Sequence, residues 1–311
     1  MTSTRLCPQA PVRVSCIIPT LNRPDALERT LRSLHRQSRP PDEVIVVPQR
    51  NTPAITDERW RFALMTLRQE EPNAQRARNA AAAASSGDLL LFLDDDIEAE
   101  PDLIKKYLKA FEDPGLGAAC GAILEPGQSP AAWIPDECRA EPLGWTKFPL
   151  NYGQDCPTRN FSSCNTCVRR GVHFDSGGFD EHFVATLFDD SDWSIRLCRR
   201  LDEAGLKGMH LGAIRLTHFR EPAGGRRIGR VSRYVKIDAE GWASRLYFWR
   251  KNYGARAWRE MLYFARLDLV CGSLLARPSE LIRAWCEFCR GWRLSSQRLA
   301  VGPRILVSSQ K

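Results

Sequence analysis

Three consecutive carboxylates, Asp94, Asp95 and Asp96, close the apolar run Leu89-Leu90-Leu91-Phe92-Leu93. A strand of that composition is buried on both faces of a sheet, so the three charges collect where the backbone leaves the core. Negative charge stacked at such a point is costly unless a cation sits among the carboxylates. In open α/β sheets the ligand crevice lies at the carboxyl ends of the strands. The chemistry that fits is capture of a metal-bound substrate; the alternative is a solvated acidic turn.

The elements that must position these groups are legible around them. Val12 to Pro19 reads as a first buried strand and Glu43 to Val47 as a second. Between them Pro24 opens a helix striped by Leu27, Leu31 and Leu34. Strand, helix and strand with short links form a right-handed parallel βαβ unit. Asn73 to Ser86 reads as an alanine-rich helix ended by Gly87, Pro101 to Phe111 as another helix, and Gly117 to Ile123 as a fourth strand. The alternation predicts an α/β fold: an open, mostly parallel central sheet with helices on both faces. From Leu124 to Asn160 no period holds, and so long a stretch reads as a functional surface or lid. Helical pattern returns from Asp192 to Ala204 with Gly205 as its stop, and Arg215 to His218 ends a further strand. Gly224-Gly225-Arg226-Arg227 marks a loop before helical sequence that runs to the end.

A chain of 311 residues suits one large domain plus an appendage, and 43% hydrophobic with 26% charged residues is ordinary for a globular protein. No uncharged apolar run reaches the length of about eighteen residues that a spanning helix needs, and Met1 to Pro11 lacks a secretory core segment. A cytoplasmic location is expected. The 11 cysteines are scattered, several inside apolar segments (Cys16, Cys120, Cys198, Cys271) where the thiol acts as a small hydrophobe. The pairs Cys164/Cys167 and Cys286/Cys289 lie too far apart in sequence to favour structural zinc. Charge is uneven: 19 basic and 7 acidic residues from Arg220 to Lys311 stand against 26 and 30 before them, so the formal +8 belongs to the C-terminal third. A basic tail on an acidic body suits an anionic partner.

The ordered blocks Ser15-Cys16-Ile17-Ile18-Pro19-Thr20-Leu21-Asn22-Arg23, Asn73 to Asn79 with Gly87-Asp88, Leu91 to Asp96, Asn165 to Arg170 with Gly177 to Glu181, and Phe188 to Trp193 with Arg196, followed by His218, resemble the family 2 glycosyltransferases of GT-A fold. The resemblance covers roughly Val12 to Arg227. It implies a tail at 1–11, a GT-A domain at 12–219 and a basic, aromatic-rich helical region at 220–311. It further implies sugar transfer from a nucleotide-sugar donor to a saccharide or lipid-linked hydroxyl, with inversion, in cell-envelope polysaccharide or glycolipid assembly. Such transfer must neutralise a diphosphate leaving group, which Mn²⁺ or Mg²⁺ does through carboxylate and phosphate oxygens.

By resemblance Asp96 ligates the cation with His218 as a further ligand, and Asp94, with Asp95 adjacent, contacts the donor. Pro19, Thr20, Asn22, Arg23, Gln49 and Arg78 also fall on the donor side, Arg78 offering its donor fork to the diphosphate. Asp190 is the base that takes the acceptor's proton; Asn165, Asp189 and Asp192 fall on the acceptor side, although Asp189 and Asp192 also suit a helix N-terminus. Many members follow the second strand with an acidic residue; here Val46-Val47 leads to Pro48-Gln49, so UDP is favoured on family grounds while dTDP and GDP stay open.

Trp242, Tyr247, Phe248, Trp249, Trp258, Tyr263, Phe264, Trp285 and Trp292 alternate with arginines, a composition suited to an anionic bilayer interface on the inner face of the cell membrane or to helix packing. No nucleic-acid module is visible. A nucleotidyltransferase is a rival reading, but Pro19-Thr20-Leu21-Asn22-Arg23 is no glycine-rich phosphate loop; a non-catalytic sugar-nucleotide-binding protein is another, against which Asp94, Asp96 and Asp190 stand.

Overall fold

The computed structural model describes residues 11–53, 60–134, 149–185, 187–222, 231, 232, 235, 237–269 and 275–306. The tail at 1–10, the stretch 135–148 of the irregular segment, the loop at 224–227 and Cys271 lie outside them. Among the described residues nine strands form one sheet: β1 (Val14–Thr20), β2 (Glu43–Pro48), β3 (Ala63–Thr66), β4 (Leu89–Leu93), β5 (Ile97–Ala99), β6 (Leu116–Leu124), β7 (Cys156–Pro157), β8 (Asn165–Arg169) and β9 (Lys207–His218). The helices are α1 (Pro24–His35), α2 (Ala74–Ala84), α3 (Leu103–Ala110), α4 (Arg170–Asp175), α5 (Asp189–Ala204), α6 (Ala239–Tyr253), α7 (Trp258–Leu269) and α8 (Pro278–Val301).

The strand order is β3-β2-β1-β4-β8-β6-β9-β5, with β7 also on β9. β1 pairs in parallel with β2 and β4, β2 with β3, and β6 with β9. β8 runs against both β4 and β6, and β5 and β7 run against β9. Most strands therefore share one direction, as the alternation of elements predicts. The reversed central strand β8 went unforeseen, because Asn165-Thr166-Cys167-Val168-Arg169 is short and half polar.

Every residue of β1 and β4 is buried, and alternate side chains serve two cores. Cys16, Ile18, Leu89, Leu91 and Leu93 face the side covered by Leu27, Leu31 and Leu34 of α1 and by Leu103, Ile104 and Tyr107 of α3. Ile17, Leu90 and Phe92 face the side covered by the alanines of α2 and by Trp193, Leu197 and Leu201 of α5. Each buried leucine of α1 contributes about 2 kcal/mol relative to exposure.

Local signals placed most boundaries. Pro24 stands at the first turn of α1. Asn73 caps α2 by accepting from the N–H of Arg76 at 3.0 Å. That helix ends at Ser85 rather than at Gly87. Gly87 has another purpose: a Cβ there would lie 2.4 Å from Ser15 Oγ. α5 begins at Asp189, three residues before the expected start at Asp192, with three carboxylates in its first turn against the helix dipole, and Gly205 stops it at φ 64°.

The C-terminal aromatics divide into a buried and an exposed set. Trp242, Tyr247, Phe248 and Trp249 are at most 2% exposed and form a third core with Phe183, Met261 and Ala284. Trp258, Tyr263 and Trp285 remain exposed. No helix among the described residues is long and apolar enough to cross a membrane.

His173 of α4 is fully buried, with its ring 5.0 Å from Phe92, 5.8 Å from Phe179 and 5.9 Å from Trp193. Burial, assisted by the charges of Arg196 and Arg170, lowers its pKa from 6.5 to about 3. The unfolded chain therefore binds a proton that the folded chain refuses, so stability falls as pH drops below 6.5 towards 3. Between pH 7.5 and pH 5 this group should cost about 2 kcal/mol. Chemical denaturation at both pH values should show that loss in the native protein and a smaller one in His173→Leu.

Candidate active site

A cleft of about 560 Å³ opens at the carboxyl edge of the parallel strands. Pro19 and Thr20 end β1, Gln49 follows β2, Asp94, Asp95 and Asp96 follow β4, Ile123 lies near the end of β6 and His218 ends β9; all line it. Because β8 runs the other way, the residues before it, Ser162, Ser163 and Cys164, reach the same edge. Ala74 and Arg78 of α2 and Asp189 and Asp190 of α5 complete the walls with Arg23, Leu21, Leu150 and Arg220.

The three aspartates do not share one environment. Asp95 is tied down by Thr20 Oγ1 at 2.7 Å and Arg23 Nη1 at 3.0 Å. Burial nonetheless raises its pKa to about 6, with Asp96 adding to the rise against the pull of Thr20 and Arg23. Asp96 accepts from Arg23 at 3.0 Å, from the N–H of Glu221 at 2.9 Å, and pairs with His218 Nε2 at 3.0 Å. Burial opposes its ionisation, but these partners outweigh it and hold its pKa low. His218 is moved the opposite way: burial disfavours its charge, yet Asp96 and Asp94 raise its pKa. Asp94 accepts from Arg78 Nη2 at 3.0 Å and stands 3.9 Å from His218.

Across the cleft, burial lifts Asp189 and Asp190 above the ordinary carboxylate range, with the charge of Asp190 adding to the rise of Asp189 and Arg78 opposing both. Gln75 Nε2 donates a short hydrogen bond to Asp189 Oδ2. Ser162 Oγ donates to Asp190 Oδ2 at 3.2 Å, while Asp190 Oδ1 has no protein partner. Arg78 Nε and Nη1 are likewise buried and unpaired. Buried polar atoms are normally satisfied, so unpaired atoms on Asp190 and Arg78 set this cleft apart as able to receive a polar ligand.

Of the residues singled out from sequence, Pro19, Thr20, Arg23, Gln49, Arg78, Asp94, Asp95, Asp96, Asp189, Asp190 and His218 line this cleft. Three do not. Asn22 is exposed in left-handed backbone, φ 55°, with its N–H on Thr52 Oγ1. Asn165, expected on the acceptor side, is fully buried, donating to the carbonyl of Ala122 and accepting from Tyr107. Asp192, expected there too, is fully buried on the far side of α5, held by Arg196, Lys251 and Asn252. Two residues apart on a helix are about 200° apart around its axis, so Asp190 and Asp192 cannot face one cleft. Gln49 lines the cleft, but its Oε1 accepts from the N–H of Asn73 at 2.6 Å and ties β2 to α2. Gln75, Ser162 and Ser163 escaped the sequence reading, since neutral polar groups just outside the acidic blocks carry no signal of their own; Cys164 figures there only as half of a CxxC pair.

The donor set suits a hard divalent cation. A carboxylate oxygen of Asp94, a ring nitrogen of His218 and the Cys164 sulfur lie within 4.8 Å of one another, and Asp96 adjoins His218. Burial, with Asp94, Asp96 and Asp190 around it, pushes the Cys164 thiol well above its ordinary pKa, which leaves oxygen and imidazole as the effective donors. The described cysteines are all free.

With this geometry in place, residues 15–175, just over half of the chain, match the model of glycosyl transferase family 2. The chain belongs to that family of glycosyltransferase enzymes. It is 31% identical over 231 residues to O-antigen biosynthesis protein RfbC of Myxococcus xanthus, covering 66% of this chain and 17% of that protein. It is 33% identical over 218 residues to a validoxylamine A glucosyltransferase of Streptomyces hygroscopicus subsp. limoneus (59% of this chain, 47% of the relative). It is 28% identical over 212 residues to O-antigen chain rhamnosyltransferase RfbN of Salmonella typhimurium (60% and 64%). The match thus spans less than two thirds of each of these relatives. Among solved structures, GalNAc-T7 with UDP, GalNAc and Mn²⁺ superposes at TM-score 0.52 with 13% identity over 78% of this chain and 50% of that one. S. aureus TarS 1–349 in complex with UDP-GlcNAc does so at 0.52 with 17% identity over 79% and 69%. Both share the GT-A fold.

Arg23 is the cation that makes the Asp95–Asp96 pair tolerable, at 12% side-chain exposure against 6% and 1%. Arg23→Met should destabilise the fold by about 3 kcal/mol, read by chemical denaturation at neutral pH with a chelator present. A loss below about 1 kcal/mol would mean the pair is neutralised in another way.

Proposed function

We propose that this chain is a divalent-cation-dependent, inverting glycosyltransferase that moves a sugar from a nucleotide-sugar donor to a hydroxyl acceptor in cell-envelope polysaccharide or glycolipid assembly. The observation that carries the reading is the pairing of two kinds of carboxylate across one cleft. Asp94 and Asp96 stand beside His218 on one wall; Asp190, with an unpaired oxygen and a raised pKa, stands on the other.

In this reading Asp96 and His218 hold Mn²⁺ or Mg²⁺ with Asp94 in reach, and the cation's part is to neutralise charge on the diphosphate leaving group. Arg78 directs its two unpaired nitrogens at diphosphate oxygens. Thr20, Pro19 and Gln49 wall the nucleotide side. The acceptor hydroxyl approaches Asp190. As its oxygen bonds to the anomeric carbon, the carbon–oxygen bond to the diphosphate breaks, its electron pair leaves with the diphosphate, and the hydroxyl proton passes to Asp190 Oδ1. Displacement from the opposite face inverts the anomer. The raised pKa of Asp190 makes it a stronger base than an exposed aspartate. Ser162 orients it through the second oxygen.

UDP is the favoured nucleotide, supported by the UDP and UDP-GlcNAc in the two solved relatives of the fold. The O-antigen names of RfbC and RfbN support an envelope acceptor. The exposed Trp258, Tyr263 and Trp285 support contact with an anionic membrane that carries it.

A panel of UDP-, dTDP- and GDP-sugars screened for Mn²⁺-dependent thermal stabilisation should select one donor. With it, Asp190→Asn should lose roughly 10³-fold in turnover while UDP affinity stays within about twofold; wild-type turnover would sink the assignment. Asp96→Asn should lose the Mn²⁺-dependent stabilisation. For the membrane contact, the protein should pellet with phosphatidylglycerol vesicles at low salt and be released at high salt, and Trp258→Ala with Trp285→Ala should weaken pelleting.

A further inference from the structure

The C-terminal helices reach the proposed site without lining it. α5 carries Asp190 in its first turn, and the residue before that turn, Phe188, lies in left-handed backbone at φ 63° with no side-chain cap. A bulky residue at such a φ is strained and persists only where its surroundings enforce it. The enforcement comes from α6: the Phe188 ring stacks on Phe248 at 4.7 Å and 13°, and meets Trp249 edge-on at 6.1 Å.

The same helix grips the opposite side of that turn. Lys251 Nζ lies 2.8 Å from Asp192 Oδ1 and 2.9 Å from Oδ2, and 2.8 Å from Asp180 Oδ2. Both carboxylate side chains are fully buried. Asn252 Nδ2 donates to Asp192 Oδ1 at 3.0 Å, Arg196 Nε to Oδ2 at 3.0 Å, and Tyr247 Oη to Asp180 Oδ2 at 2.8 Å. Asp180 Oδ1 accepts from the N–H of Arg304, beyond α8. Nothing in this cluster touches the cleft. Its geometry fixes where the first turn of α5 sits, and so where Asp190 points.

We propose that Lys251 is a positioning residue: with Phe248 and Asn252 it makes α6 the buttress that holds Asp190 at the angle needed to take the acceptor's proton. The helical region after residue 219 is then part of the catalytic unit. This inference rests on the reading of Asp190 as the base. A displacement near 1 Å costs roughly 10²-fold in rate, whereas donor binding depends on β1, α2 and β4 and stays intact.

The experiment uses the full chain as Lys251→Met, Lys251→Arg, Asn252→Ala, Asp190→Asn and the double variant Lys251→Met/Asp190→Asn. Rates are read as nucleoside diphosphate released from the donor that the panel selects, with UDP binding measured calorimetrically in Mn²⁺. Lys251→Met should lower kcat roughly 10²-fold at unchanged donor KM and UDP affinity, Lys251→Arg should recover most of it, and the double variant should be no slower than Asp190→Asn. If Lys251→Met does not fold, Asn252→Ala decides: a severalfold fall in kcat at constant donor KM supports the proposal, and full kcat overturns it. Wild-type kcat in folded Lys251→Met overturns it as well, as does a fall matched by lost UDP binding or a double variant slower by the product of the two losses. If Asp190→Asn itself retained turnover, the base assignment would fail and take this inference with it, a result distinct from failure of Lys251 alone.

Discussion

Concentrated negative charge in a half-buried cleft is the constraint around which this molecule is arranged. Asp94, Asp95, Asp96, Asp189 and Asp190 line one space, and Asp180 and Asp192 lie buried behind it. Carboxylates that close together repel and resist desolvation, so each needs a fixed partner or a proton. The chain supplies partners from distant segments: Arg23 ahead of α1, Arg78 in α2, His218 at the end of β9 and Lys251 in α6. At Asp190 burial raises the pKa against the pull of Arg78 and Ser163, and Oδ1 is left buried without a hydrogen-bond partner in the wall of the cleft. The proposed chemistry uses that exception.

The reversed strand β8 is the second determinant. Parallel strands deliver only their carboxyl ends to the crevice, which accounts for Thr20, Gln49, Asp94 and His218. Inserting one strand of opposite sense between β4 and β6 brings a strand's amino end to that edge, and with it Ser162, Ser163 and Cys164. On the other side of β8, Gly121 of β6 allows a close approach: a Cβ there would lie 2.4 Å from the carbonyl of Ile214 in β9 and 2.5 Å from Asn165 Nδ2 at the start of β8. Asn165 is thus a strut of the sheet, hydrogen-bonded to Tyr107 and Ala122, although its neighbours in sequence line the cleft.

The C-terminal third shows how composition misleads when its residues are counted without their partners. Tryptophans among arginines suit a bilayer interface and a helical core equally well, since in both the ring is buried and the charge is not. Trp242 and Trp249 went to the core; Trp258 and Trp285 stayed outside. The hydrophobic period of α6 is weak because its buried residues run consecutively from Leu246 to Trp249, packed between α5 and α8. Only the neighbours on both sides reveal that arrangement.

Strands β1, β2 and β4, helices α1 and α2, the stop at Gly205 and the acidic cluster after β4 were legible in the chain itself. Their signals are local: continuous apolar runs, leucines at spacings of four and three, proline and asparagine at helix starts, and a glycine that accepts positive φ. Resemblance extended that reading to Asp190 and His218, which no local pattern distinguishes. Whether Asp190 or Asp192 faces the cleft, whether Asn165 lines it, and which cation neutralises which aspartate were decided only by tertiary structure. Those outcomes depend on helix rotation, strand direction and contacts between residues as far apart as Asp180 and Lys251, and a one-dimensional pattern carries none of these.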